Sequence, residues 1–275
     1  MPELSLPQNV ILMVHLPPLP GAPDASLTMA ELIGFACRDA EVAQAAGADG
    51  VLVENYGDIP FFKDGVPAVT IAAMATIVTH VRQAVTIPVG VNVLRNDACA
   101  ALSIAAATGA GFIRVNVHCG ARVTDQGIIE GRAAETLRLR RDLGANVAIL
   151  ADVAVKHSAP LGPEQLAQLA RDTAYRGHAD ALIVTGSGTG APVDLDALRI
   201  VRQAVPDRPL YLGSGVTDDN VAALLNQADG VIVGTSVKEG GLTGNPLDPA
   251  RTRRLIAHSA GQAQDQRWPS ANSSN

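Results

Sequence analysis

Aromatic residues are scarce in this chain: four Phe, three Tyr and one Trp in 275 residues. A core of stacked rings is therefore excluded, and the interior has to be assembled from Ala, Val, Leu and Ile. Cysteine is scarce too. Cys37, Cys99 and Cys119 are odd in number and lack zinc-ligand spacing, which rules out a disulfide framework and fits reduced thiols of a cytosolic protein. No basic run interrupts a net charge of −6, so nucleic-acid phosphates would be repelled and no nucleic-acid partner is expected. No apolar stretch reaches 18 residues, and Met1–Pro7 lacks the basic and apolar regions of a secretory signal. The expectation is a cytoplasmic protein without integral membrane contact. A dinucleotide fingerprint and a Ser-His-Asp nucleophile elbow are also missing, and no cofactor is expected.

What the chain does have is a repeat of short apolar runs separated by helical segments. The runs are Val10–Val14, Gly50–Val53, Pro88–Val93, Phe112–Val117, Val147–Ala151, Ala181–Val184, Pro209–Leu212 and Gly230–Val233. Each is too short for a helix and rich in β-branched residues, so each reads as a buried strand. Several follow a recurring phrase: Ala46-Gly-Ala-Asp-Gly-Val51, Thr108-Gly-Ala-Gly-Phe112, Leu143-Gly-Ala-Asn-Val147, Gly177-His-Ala-Asp-Ala181 and Gln227-Ala-Asp-Gly-Val231. In most of them a glycine past an Ala- or Leu-rich helix can take the left-handed conformation that ends it. Thr28 with Glu31 has capping-box spacing, Pro163-Glu164 suits a helix start, and a last helix is expected near Pro249–Ser259. Eight alternating strand–helix units predict an α/β fold, a single (β/α)8 barrel over residues 1–260, with 261–275 as a disordered polar tail. An open doubly wound sheet is the rival, disfavoured by the regular alternation.

The loops that follow the strands are the longer ones: His15–Leu27, Glu54–Asp64, His118–Ile129, Asp152–Gly162 and Thr185–Val193. Barrel enzymes keep their active sites on that face. Polar residues gather at the strand ends: His15, Glu54, Asn55, Asn92, Asn116, His118 and Asp152. Arg114, Asn116 and His118 share one strand parity and are expected on one wall. So many buried polar groups need partners, and a binding site supplies them.

Two glycine-containing turns follow the seventh and eighth strands: Gly213-Ser214-Gly215 and Gly234-Thr235-Ser236. Loops at those places in phosphate-binding barrels surround an anion with backbone amides, so these six residues are the expected phosphate site. Gly186–Gly190 is either a third anion contact or a lid hinge. Asp152, Glu54, His118 and Lys156 are the candidate catalytic residues, as acid/base groups and as an oxyanion- or phosphate-stabilising ammonium. His15, Asn55, Asn92, Asn116, Arg95, His157 and Thr185 are the candidate substrate contacts, and Arg122 is a second possible anion clamp. A metal could be held only by His15, Glu54, Asp152 and His157, which have no tight ligand spacing, so no metal is expected. The Pro17–Pro23 segment could serve as a contact in a homo-oligomer or as a site lid.

The segments Val14–Gly21, Asp49–Asp58, Gly90–Asp97, Phe112–His118, Ala151–His157, Val184–Gly190 and Gly213–Thr217 together resemble the BtpA/SgcQ family from about Val10 to His258. The resemblance implies a barrel related to ribulose-phosphate-binding proteins. It also implies two functions: photosystem I biogenesis in one branch, and a sugar-metabolism setting with nucleosidase-type activity in another. It carries no catalytic residue set. The expected function is an enzyme acting on a phosphorylated sugar, nucleoside or similar polyhydroxylated molecule, by nucleosidase, lyase or isomerase chemistry. The alternative is a non-catalytic membrane-complex biogenesis factor.

Overall fold

A computed structural model describes residues 6–186 and 194–260. The elements in chain order are β1 (Asn9–His15), α1 (Met29–Ala46), β2 (Gly50–Glu54), α2 (Ala68–Ala84), β3 (Val89–Asn92), α3 (Ala98–Thr108), β4 (Phe112–Val115), β5 (Ala121–Thr124) and β6 (Gly127–Glu130). They continue with α4 (Ala133–Asp142), β7 (Ala148–Val153), β8 (Ala159–Pro160), α5 (Leu166–Arg171), β9 (Ala181–Val184), α6 (Leu195–Ala204), β10 (Leu210–Leu212), α7 (Val221–Leu225), β11 (Gly230–Val233) and α8 (Pro249–Ser259). The eight runs named from the sequence all form strands, and these close into a parallel barrel in the order β1-β11-β10-β9-β7-β4-β3-β2. The fold is a TIM barrel. The polar tail expected at 261–275 lies outside the described residues, as do residues 187–193.

The period of two along each strand sorts its residues between two cores. One set, including Val10, Leu12, Val14, Val51, Val53, Val89 and Val91, packs outward against the helices. Helix α1 offers Ala36, Ala40 and Ala43 to that layer, small enough for helix and sheet to approach closely. The other set fills the barrel: Ile11, Met13, Leu52, Phe112, Ala148, Leu150, Ala181, Ile183, Tyr211 and Ile232. Only two rings stand among them, and glycine makes their room. A Cβ at Gly90 would lie 2.2 Å from the Phe112 ring, and one at Gly230 would lie 2.6 Å from the Tyr211 ring.

The recurring phrase before the strands works through its aspartate as well as its glycine. Gly47 and Gly109 end α1 and α3 in the left-handed conformation, as expected. Asp49 then accepts the Val10 amide and returns its own amide to the Val10 carbonyl. Asp180 makes the same exchange with Ile149, and Asp229 with Leu210. Each aspartate thus pins the start of the preceding barrel strand, satisfying polar groups at the sheet's end. Gly177 departs from the glycine expectation. Its φ is −81°, and its missing side chain makes room for Cys119, whose Sγ would lie 2.5 Å from a Cβ there.

The helix signals fare well. Thr28 and Glu31 form a reciprocal capping box, and α8 spans the residues expected, opened by Asp248. At the other end of the barrel, the segment read as a plain loop from His118 to Ile129 is in fact a hairpin of β5 and β6, extended by β8. Arg122 belongs to this small sheet, donating from Nε to Ser158 (2.9 Å) and pairing with Glu164. It is engaged by protein groups and lies outside the lining of the cavity at the strands' C-terminal ends.

Candidate functional site

The apolar floor gives way to polar side chains as the inward positions reach the strands' C-terminal ends. His15, Glu54, Asn92, Arg114, Asn116 and Asp152 follow the inward parity of β1, β2, β3, β4 and β7, while β10 and β11 reach this level as Gly213 and Gly234. A cavity of about 630 Å³ opens there, within the range of small-molecule sites. His15, Glu54, Arg95, Arg114, Asn116, Lys156 and His157 line it, and so do all six residues of the two glycine turns.

His15 and Glu54 form the most reactive pairing. His15 Nδ1 lies 3.0 Å from the Thr243 carbonyl oxygen, which can only accept, so Nδ1 carries the proton. Burial first, and the nearby Lys238 charge second, hold the imidazole pKa well below its ordinary value, so the ring is neutral. Its Nε2 lone pair stands 3.6 Å from Glu54 Oε1. Asn92 Nδ2 donates to the other Glu54 oxygen at 2.6 Å and fixes the carboxylate. Two acceptors facing each other across that gap call for a shared proton or a donor supplied by a ligand. Tyr56 packs a tilted ring 4.7 Å from the His15 ring.

Asp152 plays a different part. Arg114 donates to its two oxygens from Nε and Nη2, both at 3.0 Å, and Asn116 Nδ2 donates at 2.9 Å. The aspartate lies beneath the cavity wall, its side chain fully buried, and acts as the counter-charge of Arg114. Asn116 keeps one atom unspent: Oδ1 is buried with no partner among the described residues, on a side chain that lines the cavity. Lys156 sits between two non-glycine residues with positive φ nearby, Ala154 (55°) and His157 (56°), a concentration of backbone strain typical of functional loops. Burial, then the Arg114 charge, pulls the Lys156 pKa below the usual lysine value. Burial and Lys156 lower that of His157.

The glycine turns form a cup. Gly215 has φ 67°, open to glycine at little cost. The amides of Gly215, Val216, Thr235 and Ser236 donate to no described residue, while the hydroxyls are largely engaged: Ser214 accepts the Gly186 amide, Thr235 pairs with Thr243 and Ser236 donates to Val216. The polar groups of the two turns left unengaged among the described residues are therefore mainly backbone amides.

Five expected site residues are absent from the cavity lining: Asp152 and Asn92, which hold Arg114 and Glu54, and three that stand elsewhere. The strand parity of β4 ends at Val115, and His118 turns out of the barrel, with Nε2 2.8 Å from the Gly177 carbonyl and the ring outside the cavity lining. Asn55 accepts the Leu94 amide and donates to Asp58, so it braces loops. Thr185 accepts the Lys156 amide at 3.1 Å and shapes that loop from behind. The Pro17–Pro23 segment packs beside Gly57, whose amide donates to Leu16, and is absent from the cavity lining. Conversely, Tyr56, Ile59, Phe61, Leu94, Asp125 and Thr243 line the cavity without having been singled out. Asp125 had a local signal, the two-residue turn of an alternating hairpin. Thr243 had none, because it arrives from a long excursion after β11.

Among solved structures, the chain is similar to phosphoribosyl anthranilate isomerase of Thermus thermophilus (TM-score 0.55, 13% identity, 91% of this chain and 97% of that one). It is also similar to N-acetylmannosamine-6-phosphate 2-epimerase of Clostridium perfringens (TM-score 0.53, 13% identity, 84% and 88%). At such identities these likenesses speak for the barrel alone. Sequence relatives are much nearer. The photosystem I biogenesis protein BtpA of Synechocystis sp. is 45% identical over 247 residues, covering 90% of this chain and 86% of that protein. The sgc region protein SgcQ of Escherichia coli is 36% identical over 250 residues, covering 90% and 92%. The BtpA family model matches residues 7–261, and the chain belongs to the BtpA family.

Proposed function

We propose that this protein is an enzyme that moves a proton on a small phosphorylated, polyhydroxylated substrate of the sugar or nucleoside type. The observation that carries the reading is one cavity that holds both the amide cup after β10 and β11 and the facing acceptors of His15 and Glu54. Backbone amides suit a phosphate because they supply fixed partial charge without a counter-ion. With the phosphate seated there, the sugar carbons lie over the barrel mouth, within reach of Glu54 and the neutral His15. Glu54 or His15 takes a proton from carbon or hydroxyl, and Lys156 and Arg95 stabilise the oxyanion that develops. Isomerase- or lyase-type chemistry fits this set better than glycosidic cleavage, because His118, an acid/base candidate that could have protonated a leaving base, is outside the cavity lining. The fold neighbours named as a phosphosugar isomerase and an epimerase are consistent with this reading.

The biogenesis role named for the Synechocystis relative is the second reading, favoured by its 45% identity. It gives no task to Asn116 Oδ1 or to the amides of the cup, which have no partner among the described residues. A thermal-shift panel of sugar phosphates beside their unphosphorylated parents separates the two. At least one phosphorylated compound should raise the melting temperature while its parent does not, and should be turned over by the wild type but not by Glu54→Gln. Absence of any phosphate-dependent shift would abandon the enzyme reading for the biogenesis one.

A further inference from the structure

The cavity has two unlike ends. The cup lies after β10 and β11. Beyond β1, the loops following β2 and β3 raise Tyr56, Ile59, Phe61 and Leu94 along the lining. The barrel order places β3 opposite β10, while β2, which carries Tyr56, Ile59 and Phe61, is separated from β11 by β1, so this wall flanks the cup with one strand between and does not border it. Its composition departs from the rest of the chain. Of eight aromatic residues in 275, three (Tyr56, Phe61 and Phe62) fall within seven positions of one loop. Two of these three point into the cavity, whereas the interior core uses only Phe112 and Tyr211. Ile59, also in the lining, is 52% exposed.

Apolar side chains left half-covered at a site mouth are stabilised when a ligand covers them. A phosphate cannot do so, and a bare sugar offers only the C–H groups of a ring face, a small apolar patch edged by hydroxyls. A flat ring can, and an aromatic wall receives it by stacking. The wall has polar neighbours as well: Arg95 and Asp125 line the same side and offer a donor and an acceptor to the edge of such a ring.

We infer that the substrate is a phosphorylated glycoside whose aglycone is a flat, unsaturated ring with polar edges, the phosphate in the cup and the ring against Tyr56, Ile59 and Phe61. This deepens the proposed function and rests on its phosphate cup. The wall, not the cup, then sets specificity. Bare sugar phosphates would bind through one end only.

Calorimetric titration of the full chain with ribose 5-phosphate, methyl riboside 5-phosphate and the four common ribonucleoside 5′-monophosphates tests this. At least one ring-bearing ligand should bind about tenfold or more tightly than ribose 5-phosphate, with the methyl riboside resembling the latter. In Phe61→Ala and in Ile59→Ala, whose folding is checked by thermal melting, that ratio should fall towards one. If ribose 5-phosphate binds and no ring-bearing ligand exceeds it, the aglycone proposal is overturned and the cup survives. A ring preference undiminished in both variants also overturns it. If nothing binds, both the proposal and the cup on which it rests are lost.

Discussion

A single proton position decides how His15 can act. The Thr243 carbonyl fixes that proton on Nδ1, burial keeps the ring neutral, and Nε2 is left as a base facing Glu54. A base whose pKa is lowered stays active to lower pH than a free histidine would. The acid limb of the rate profile should therefore fall below the ordinary histidine value of 6.5. The Lys156 ammonium has a lowered pKa too, so the alkaline limb should begin below 10.5, and Lys156→Arg should move it upward. An acid limb above 6.5, measured on the substrate identified by the panel, would contradict this assignment. Asp152 makes a contrasting case. Sequence position alone made it a candidate acid, since a carboxylate ending an apolar strand looks poised. Its partner, Arg114, comes from a strand 38 residues earlier that no local pattern pairs with it. Because both groups are buried, Asp152→Asn should cost about 3–5 kcal/mol by stranding the guanidinium, a fall of roughly 10 °C in melting temperature at this size. An unchanged melting temperature with lost activity would restore Asp152 as a reacting group.

Among the elements, the segment after β11 does the most for the site, and its anchor lies behind the barrel. Lys238 is wholly buried and donates to Asp39 of α1 at 3.0 Å, while the other Asp39 oxygen accepts the Leu247 amide. This clamp closes both ends of the segment that delivers Thr243 to the cavity, and its first end lies directly after the turn carrying Thr235 and Ser236. Lys238→Met should destabilise by about 3–5 kcal/mol, because the Asp39 charge loses its partner in the interior. Adding Asp39→Asn, which keeps an acceptor for Leu247, should recover more than half of the loss in denaturant titration. Equal losses in the single and double variants would mean that the pair is not the anchor. Neither residue stood out in the sequence, where Asp39 reads as one more polar position on a helix. The β5–β6 hairpin was legible in principle, with alternation either side of a two-residue turn, but its sheet with β8 depends on a contact between two separate loops. The aspartates before the strands were visible as a repeat. Their work, pinning a neighbouring strand, was not, because it is done across chain segments.

At the scale of the molecule, the barrel was legible because strand period, helix caps and the Gly-Ala-Asp repeat all point to one answer. The unequal ends were legible as well, through the lengths of the loops. The composition of the site was legible only where strand parity governs it: His15, Glu54, Asn92 and Asn116 point inward as the period of two requires. Past the strand ends parity fails, so His118 and Asn55 were misplaced and the apolar wall was overlooked. Calorimetric titration of ribose 5-phosphate into wild type, Gly215→Ala and Gly215→Trp tests the central claim most directly. The Ala variant bears the strain of a side chain at φ 67° without filling the cup. The account predicts binding by the wild type, at most modest weakening in Gly215→Ala and loss in Gly215→Trp. Equal affinity in all three proteins would place the phosphate elsewhere and contradict the claim.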